Sequence, residues 1–200
     1  MGPLPYEALV FDVGGVIIPH DNELLYRRLA ARCTAPDSLE RIREEARDPR
    51  YGTGELPITD LHAGVCRALG YRRDWSAFVA DWCSHLSVDR AMLDLVQRLA
   101  ASHRVLLFSN TNREHWEHLL ALTDGALARF EAYLSHEIGQ VKPSLAAFRA
   151  VATRAGIAPG RSLFIDDRAE NVEAARQAGF HAELFTGQEA FERFLRSRAL

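Results

Sequence analysis

The hydrophobic residues of this chain cluster in short runs that each end at a polar side chain. The clearest runs are residues 8–11 before Asp12, 104–108 before Ser109, and 162–165 before Asp166. Short, nearly continuous apolar runs are typical of strands that are buried on both faces. Weaker strand signals occur at residues 132–134 and 181–185. The pattern therefore predicts a buried, largely parallel sheet.

Between these runs, apolar residues recur at helical spacing. The clearest example is residues 91–101, where Met92, Leu93, Val96 and Leu99 follow this period. Further helices are predicted at residues 111–120, 143–156, 170–178 and 189–198. Strands that alternate with helices predict an α/β fold, here a Rossmann-like, three-layer core with a parallel sheet between two helical layers.

Local signals place the ends of several of these helices. Thr111 and Glu114 form a capping-box pattern, which predicts that a helix begins at residue 111. Pro143 suits the first turn of the next helix, and Gly156 suits its end. Gly179 is the expected stop for the helix over residues 170–178.

The segment between residues 19 and 89 has a different pattern, because it contains no convincing strand. Helices are predicted at residues 23–33, 39–47, 59–69 and 75–86. A helical block inserted after the first strand predicts a cap over the crevice at the sheet edge. We therefore expect residues 1–18 and 90–200 to form the catalytic core and residues 19–89 a helical cap. The alternative is that this segment belongs to the core itself.

Composition narrows the functional class. The chain has 200 residues, of which 48% are hydrophobic and 26% charged, with a net charge of -3 and a pI near 6.2. The absence of a basic excess argues against nucleic acid and membrane surfaces as partners. The N-terminal sequence lacks the pattern of a signal peptide, and the three cysteines form no close pair. These features predict a cytoplasmic protein without a disulfide framework.

Asp12 is the candidate nucleophile at the end of the first strand. A carboxylate can attack a phosphorus centre and form an aspartyl-phosphate. Gly14 and Gly15 follow, and glycine lets the backbone turn sharply and approach a ligand closely. The alternative for an isolated Asp at a strand end is a simple turn residue.

Ser109, Asn110 and Thr111 follow the second strong strand. The hydroxyl of Ser109 and the backbone N–H groups of the next two residues would suit a phosphoryl oxygen near a helix N-terminus. The alternative is that this segment only caps the following helix, with Thr111 as the N-cap. The two interpretations are compatible, because they use different groups.

Lys142, Asp166 and Asp167 complete the set of candidate site residues. Lys142 would neutralise negative charge at Asp12 and on a transferring phosphoryl group, although an isolated lysine is usually a solvated surface residue. Two adjacent carboxylates at the end of an apolar strand are costly unless a cation or a helix N-terminus offsets their charge. Mg²⁺ prefers such carboxylates together with phosphate oxygens, so the cofactor expected here is Mg²⁺.

Taken in order, the segments 11–16, 109–112, 142–143 and 165–167 resemble the motifs of the haloacid dehalogenase (HAD) superfamily of hydrolases. The resemblance extends over nearly the whole chain, including the cap. It implies that Asp12 is both nucleophile and metal ligand, and that the carbonyl of Gly14 is a second metal contact. It also implies that Ser109 and Lys142 bind the phosphoryl group.

For the acidic segment, the resemblance implies that Asp167 is the direct metal ligand, with Asp166 and Asn171 in or near the surrounding shell. Within the superfamily, the sequences at residues 11–16, 109–113 and 54–59 resemble the branch that contains phosphatases acting on glucose 1-phosphate. The expected partner is a small-molecule phosphate ester, and the expected assembly is a monomer or a homodimer.

The chain departs from the family pattern at Gly14. Most phosphatases of this superfamily have Asp two residues after the nucleophile, where it acts as general acid and then as general base. Loss of such a group typically lowers the rate by ~10²–10⁴-fold. His20 and Asp21 lie shortly downstream and are candidate replacements, although both also suit an ordinary surface loop.

Three functions remain in competition at the level of sequence. The leading one is a Mg²⁺-dependent phosphatase acting through an aspartyl-phosphate. A metal-independent 2-haloacid dehalogenase would use the same Asp12 on carbon, but Asp166 and Asp167 argue against it. A non-catalytic module that binds phosphate ligands would explain Gly14. Two further features are predicted to be structural or solvated: His115 on an exposed helix face, and Glu55 in a cap loop, where contact with substrate is the alternative.

Overall fold

A computed structural model describes residues 5–198, so the predicted core boundaries at residues 1 and 200 lie outside the described part. Its centre is a sheet of five parallel strands in the order β3-β2-β1-β4-β5. The strands are β1 (Ala8–Phe11), β2 (Arg104–Ser109), β3 (Glu131–Leu134), β4 (Ser162–Asp166) and β5 (His181–Leu184). The predicted α/β fold with a parallel sheet is confirmed.

Helices occupy most of the remaining chain. They are α1 (Asn22–Ala30), α2 (Ser38–Glu45), α3 (Pro49–Thr53), α4 (Ile58–Leu69), α5 (Trp75–Cys83), α6 (Arg90–Ala100), α7 (Arg113–Leu122), α8 (Ser135–Ile138), α9 (Leu145–Ala155), α10 (Ala169–Gln177) and α11 (Gln188–Arg198). Two 3₁₀ turns lie at Ala126–Arg129 and Pro159–Arg161. No helix within residues 5–198 is both long and apolar enough to cross a membrane.

Alternate residues of the strands pack into two separate hydrophobic cores. On one face, Leu9 and Phe11 of β1 pack with residues of α6 and α11, such as Val96 and Leu195. On the other face, Val10 packs with residues of α9 and α10. Because side chains of a strand alternate between faces, four apolar residues in β1 can fill both cores. This is why the strand sequence is apolar throughout.

The helices α1 to α5 form an insertion between β1 and α6 with a hydrophobic cluster of their own. Phe78 and Trp82 of α5 are buried in it, and their rings stack at 6.1 Å between centroids. Cys83 is buried in the same cluster, and Cys33 and Cys66 are half-buried against it. Phe78 and Trp82 of α5 therefore lie in the interior of this helical insertion.

Several predicted helix ends need correction. The N-cap of α7 is Asn112 rather than Thr111, because the Asn112 side chain accepts a hydrogen bond from the backbone N–H of His115 at 2.9 Å. Helix α9 begins at Leu145 with Ser144 as its N-cap, so Pro143 precedes the first turn. The short helices α3 and α8 were not predicted. Gly156 ends α9 in the left-handed conformation, as expected.

Candidate functional site

The carboxyl ends of β1, β2 and β4 meet under the helical insertion, at the floor of a cavity of about 410 Å³. The register places Phe11 beside Leu107 on one side and beside Ile165 on the other. Asp12 therefore emerges at the same level as Asp166, and Ser109 lies one residue further along its strand. Parallel register thus brings the ends of three distant segments to one point, as is usual for ligand sites in open α/β sheets.

Lys142 is the centre of a charged cluster at this floor. Its Nζ lies 2.8 Å from Asp12 Oδ1 and 2.8 Å from Asp166 Oδ2, and it donates a third hydrogen bond to the carbonyl of Phe108 at 2.9 Å. The side chain is only 1% exposed. Its backbone is fixed by Asn110, whose side chain exchanges two hydrogen bonds with the N–H and C=O of Lys142 at 2.8 and 2.9 Å. The solvated-surface alternative for this lysine is wrong.

Asp12 is buried beneath the cavity, and its Oδ1 accepts a hydrogen bond from the backbone N–H of Val13 at 2.6 Å. Burial raises the pKa of Asp12 to about 7; Lys142 opposes this shift and the charge of Asp166 adds to it. The cluster contains two buried carboxylates and one buried ammonium group. A further cation at this point would offset the excess negative charge.

Asp166 and Asp167 have different surroundings. Asp166 is fully buried and accepts hydrogen bonds from Lys142 Nζ, from the backbone N–H of Arg168 and from the side chain of Asn171. Asp167 is exposed and lines the cavity, and partial burial together with the charge of Asp166 raises its pKa. Asp166 therefore lies buried beneath the cavity floor, whereas Asp167 faces the open cavity.

Oxygen ligands for a cation converge here. Carboxylate oxygens of Asp12, Asp166 and Asp167 lie within 4.8 Å of one another. Asn171 Oδ1 is buried and lacks a hydrogen-bond partner among the described residues, although the same side chain donates to Asp166. A set of hard oxygen donors with an unpaired acceptor beside it suits a divalent cation such as Mg²⁺.

The backbone conformation at position 15 and the nearby carboxylate of Asp167 both require a glycine there. The φ of Gly15 is +75°, a conformation that favours glycine. A Cβ atom at this position would overlap the carboxylate of Asp167. The close approach between the loop after β1 and the loop after β4 therefore depends on this glycine.

The segment after β2 contributes a polar wall. Ser109 is buried and lines the cavity together with Asn110 and Thr111. The backbone N–H of Thr111 already donates to Ser135 Oγ at 2.9 Å. Ser109 and Asn110 thus line the same cavity as Asp12. The N–H of Thr111, in contrast, donates its hydrogen bond to the first residue of α8.

Two further lining residues of the cavity are histidines that bond to one carbonyl. The C=O of Trp82 lies 3.0 Å from His85 Nδ1 and 3.2 Å from His115 Nε2. Because a carbonyl only accepts, both of these ring nitrogens carry the proton. Burial lowers the pKa of His85 to about 4 and that of His115 to about 3. The prediction that His115 lies on a solvated helix face is wrong, because its ring stacks on Trp82 at 5.0 Å.

Sequence reasoning missed most of the cavity roof. His85 and several residues of the helical insertion line the cavity beside His20, which was considered only as a proton donor. The missed residues are Asn22, Tyr26, Arg47, Tyr51, Trp82 and His85. No local pattern distinguishes them, because they reach the site only through the packing of α1, α3 and α5. Glu55 is exposed and lies outside the cavity lining.

Comparison with known proteins identifies the family. The model of the haloacid dehalogenase-like hydrolases matches residues 6–179. The chain belongs to this family. A D-ribitol-5-phosphate phosphatase from Bacteroides thetaiotaomicron is 24% identical to this HAD-like hydrolase over 187 residues, which are 86% of this chain and 88% of that protein.

Solved HAD structures agree closely with the fold of this HAD-like hydrolase. An enzyme of the HAD family from Bacteroides thetaiotaomicron, in complex with magnesium and inorganic phosphate, has a TM-score of 0.81 at 26% identity and covers 94% of this chain and 99% of its own. A predicted HAD-like family hydrolase from Porphyromonas gingivalis has a TM-score of 0.82 at 26% identity, with 96% and 98% covered. The resemblance to the superfamily is confirmed, while the glucose 1-phosphate branch stays a prediction.

Proposed function

We propose that this HAD-like hydrolase is a Mg²⁺-dependent phosphatase that hydrolyses a small phosphorylated metabolite through an aspartyl-phosphate on Asp12. The observation that supports this most directly is the buried contact between Asp12 and Lys142 at 2.8 Å, at the floor of a cavity with two further carboxylates. The relative that is a D-ribitol-5-phosphate phosphatase, and the related structure in complex with magnesium and inorganic phosphate, support the same chemistry.

The metal in this proposal is held by the carboxylates of Asp12 and Asp167 and by the backbone carbonyl of Gly14. Asp166 and Asn171 would lie next to these ligands, because Asn171 donates a hydrogen bond to Asp166 and the Asp166 carboxylate lies within 4.8 Å of those of Asp12 and Asp167. When bound, Mg²⁺ supplies positive charge that stabilises the developing negative charge of the phosphoryl group.

The protein's own residues would perform two displacements. Asp12 attacks phosphorus, the bond to the leaving oxygen breaks, and an aspartyl-phosphate forms. Water then attacks the same phosphorus, and the carboxylate of Asp12 is released with inorganic phosphate. Lys142 fixes the carboxylate of Asp12 in place, because the ammonium is bound from three sides. Ser109 and the Asn110 segment bind the phosphoryl oxygens.

The helical insertion is proposed to act as the cap of this site, with residues 19–89 as the cap and residues 1–18 and 90–200 as the catalytic core. Asn22, Tyr26 and Tyr51 of this insertion line the cavity above Asp12. A cap of this kind would exclude bulk water and select the substrate. The cavity volume and the polar groups on its roof favour a small, hydroxyl-bearing ester, such as a sugar or polyol phosphate.

The test is phosphate release from glucose 1-phosphate, ribitol 5-phosphate and p-nitrophenyl phosphate, with Mg²⁺ or with EDTA. We expect turnover that requires Mg²⁺. Chloride release from a 2-haloacid in EDTA would instead support a dehalogenase. Binding of phosphate esters without any turnover would support the non-catalytic alternative that Gly14 suggests.

A further inference from the structure

The position two residues after Asp12 is occupied by a glycine, yet the space beside it is not empty. A Cβ atom at Gly14 would lie 3.4 Å from Cε1 and 3.5 Å from Nδ1 of His20. The φ of Gly14 is not positive, so the backbone here does not require a glycine. A side chain at position 14 would therefore begin in van der Waals contact with the imidazole of His20.

The backbone around His20 is held on both sides. Gly14 pairs with Ile18 in a short bridge, and His20 pairs with Leu86 in another. The N–H of Ser87 donates to the carbonyl of Pro19 at 3.0 Å. These contacts connect the loop after β1 to the chain that leaves α5. The ring is thereby directed into the same cavity that Asp12 lines.

The ring of His20 differs from the other two histidines of the cavity. His85 and His115 both bond to the carbonyl of Trp82. Within residues 5–198, the His20 ring has no hydrogen bond and no ion pair, and its side chain is exposed. The nearest aromatic neighbour is His85, at 6.4 Å between ring centroids. The ring nitrogens of His20 are therefore available for a hydrogen bond to a ligand bound in the cavity.

Asp21, the other candidate proton donor, has a structural task. Its Oδ1 accepts a hydrogen bond from the backbone N–H of Leu24 at 3.0 Å and caps α1. It is not among the residues that line the cavity. Asp21 therefore provides a matched control next to His20.

We propose that His20 is the general acid and base of this enzyme and replaces the carboxylate that Gly14 lacks. This inference rests on the proposed function. As Asp12 attacks phosphorus, the phosphorus–oxygen bond to the alcohol breaks and the imidazolium of His20 gives its proton to the leaving oxygen. In the second step, neutral His20 takes a proton from water as the water oxygen attacks phosphorus. The bond to Asp12 breaks, and phosphate and imidazolium result.

The first experiment compares His20→Ala with Asp21→Asn on two substrates, an alkyl phosphate and 2,4-dinitrophenyl phosphate. For His20→Ala we expect kcat on the alkyl ester to fall by about 10²-fold or more. With the dinitrophenyl ester, a first burst of phenolate should persist, because this leaving group needs no proton, and later turnover should be slow. Asp21→Asn should behave like the wild type after correction for any loss of stability.

A second variant tests the spatial argument. Gly14→Asp in the His20→Ala background places a carboxylate in the space that the ring has vacated. We expect it to recover at least about tenfold of the lost rate on the alkyl ester. Gly14→Asp alone should not raise kcat on the alkyl ester above the wild-type value, because His20 already supplies the proton and its ring lies in contact with the position where the new side chain begins.

The possible failures can be told apart. Equal turnover of His20→Ala and wild type on the alkyl ester would overturn the role of His20. Loss of the dinitrophenolate burst, together with an equal fall in turnover on both esters, would show that His20 is structural and would also overturn it. Absence of Mg²⁺-dependent turnover by folded wild-type protein on both esters would instead reject the phosphatase itself, and with it this inference.

Discussion

Among single residues, Lys142 shows most clearly how the site depends on side-chain type. It is the only lysine in the chain, while every other basic residue apart from histidine is an arginine. An ammonium group has three N–H donors, and three acceptors surround it: Asp12 Oδ1, Asp166 Oδ2 and the carbonyl of Phe108. The planar fork of arginine cannot satisfy this arrangement in the same volume.

Substitution of Lys142 should therefore be costly even when the charge is kept. Lys142→Met leaves two buried carboxylates without their partner and should lower the free energy of unfolding by about 3–5 kcal/mol. Lys142→Arg should lower it by about 1–3 kcal/mol through overpacking, and both variants should lose activity. Urea denaturation at neutral pH measures the difference. Wild-type stability in Lys142→Arg would contradict this account.

Gly15 allows a prediction with an internal control. Gly15 and Gly125 have nearly the same φ, +75° and +73°. A Cβ at Gly125 would meet no atom within 4 Å, whereas one at Gly15 would overlap Asp167. Both Ala variants should lose about 1 kcal/mol from the backbone alone. Only Gly15→Ala should also weaken Mg²⁺ binding, as measured by titration calorimetry.

Equal Mg²⁺ affinity of the two Ala variants would show that Asp167 does not hold the ion. The resemblance to the HAD superfamily implied that Asp167, rather than Asp166, is the direct metal ligand, and the structure adds a physical reason for this assignment. Asp166 is fully buried and shared between Lys142 and Asn171, whereas Asp167 faces the cavity. Asp166 and Asp167 thus differ in burial, because β4 ends between them.

At the level of elements, the backbone carbonyl of Trp82 is a junction between α5 and α7. Trp82 lies in the last turn of α5 next to His115, and the C=O of Trp82 accepts from both His85 and His115. This contact links the helical insertion to the parallel sheet through α7. It also forms one wall of the cavity, so the stability of the wall and the shape of the site are coupled.

The stability of this wall should depend on pH. Burial lowers the pKa of His85 to about 4 and of His115 to about 3, below the ordinary value of 6.5. Both rings are neutral in the fold but take up protons more readily when unfolded. Their contribution is therefore complete above pH 6.5 and decreases as the pH falls toward 4, by up to about 1.4 kcal/mol per pH unit for each ring.

Denaturation midpoints measured between pH 7 and pH 4 test this dependence. His115→Asn should be less stable than the wild type at pH 7 and should show a shallower loss on acidification. An unchanged slope in this variant would contradict the assignment of His115 as a partly buried ring that is neutral in the fold. His118, on the same helix, is the natural control, because it makes no bond to the Trp82 carbonyl.

Element boundaries show what local sequence patterns miss. Thr111 and Glu114 have capping-box spacing, yet Asn112 caps α7 and Thr111 donates its N–H to Ser135. Ser135, the hydrogen-bond partner of the Thr111 N–H, belongs to α8 and is 24 residues away in sequence. A pattern that considers only neighbouring residues cannot predict this contact. The helix pattern itself was predicted correctly, because it depends only on periodicity.

Over the whole molecule, the sequence predicts the sheet and the meeting point of its strand ends. Apolar runs before Asp12, Ser109 and Asp166 required parallel strands, and β2, β1 and β4 are neighbours in the sheet. The roof of the cavity could not be predicted, because Tyr26 and His85 reach it only when the helical insertion packs above the sheet.

The central claim is that Asp12 receives the phosphoryl group, and rapid quenching tests it most directly. Wild-type protein is mixed with a ³²P-labelled ester and Mg²⁺, quenched in acid within the first turnover, digested and mapped by mass spectrometry. Label on the peptide that contains Asp12, absent in Asp12→Asn and in EDTA, is the predicted result. Full Mg²⁺-dependent turnover by Asp12→Asn, or label on another residue, would contradict the account.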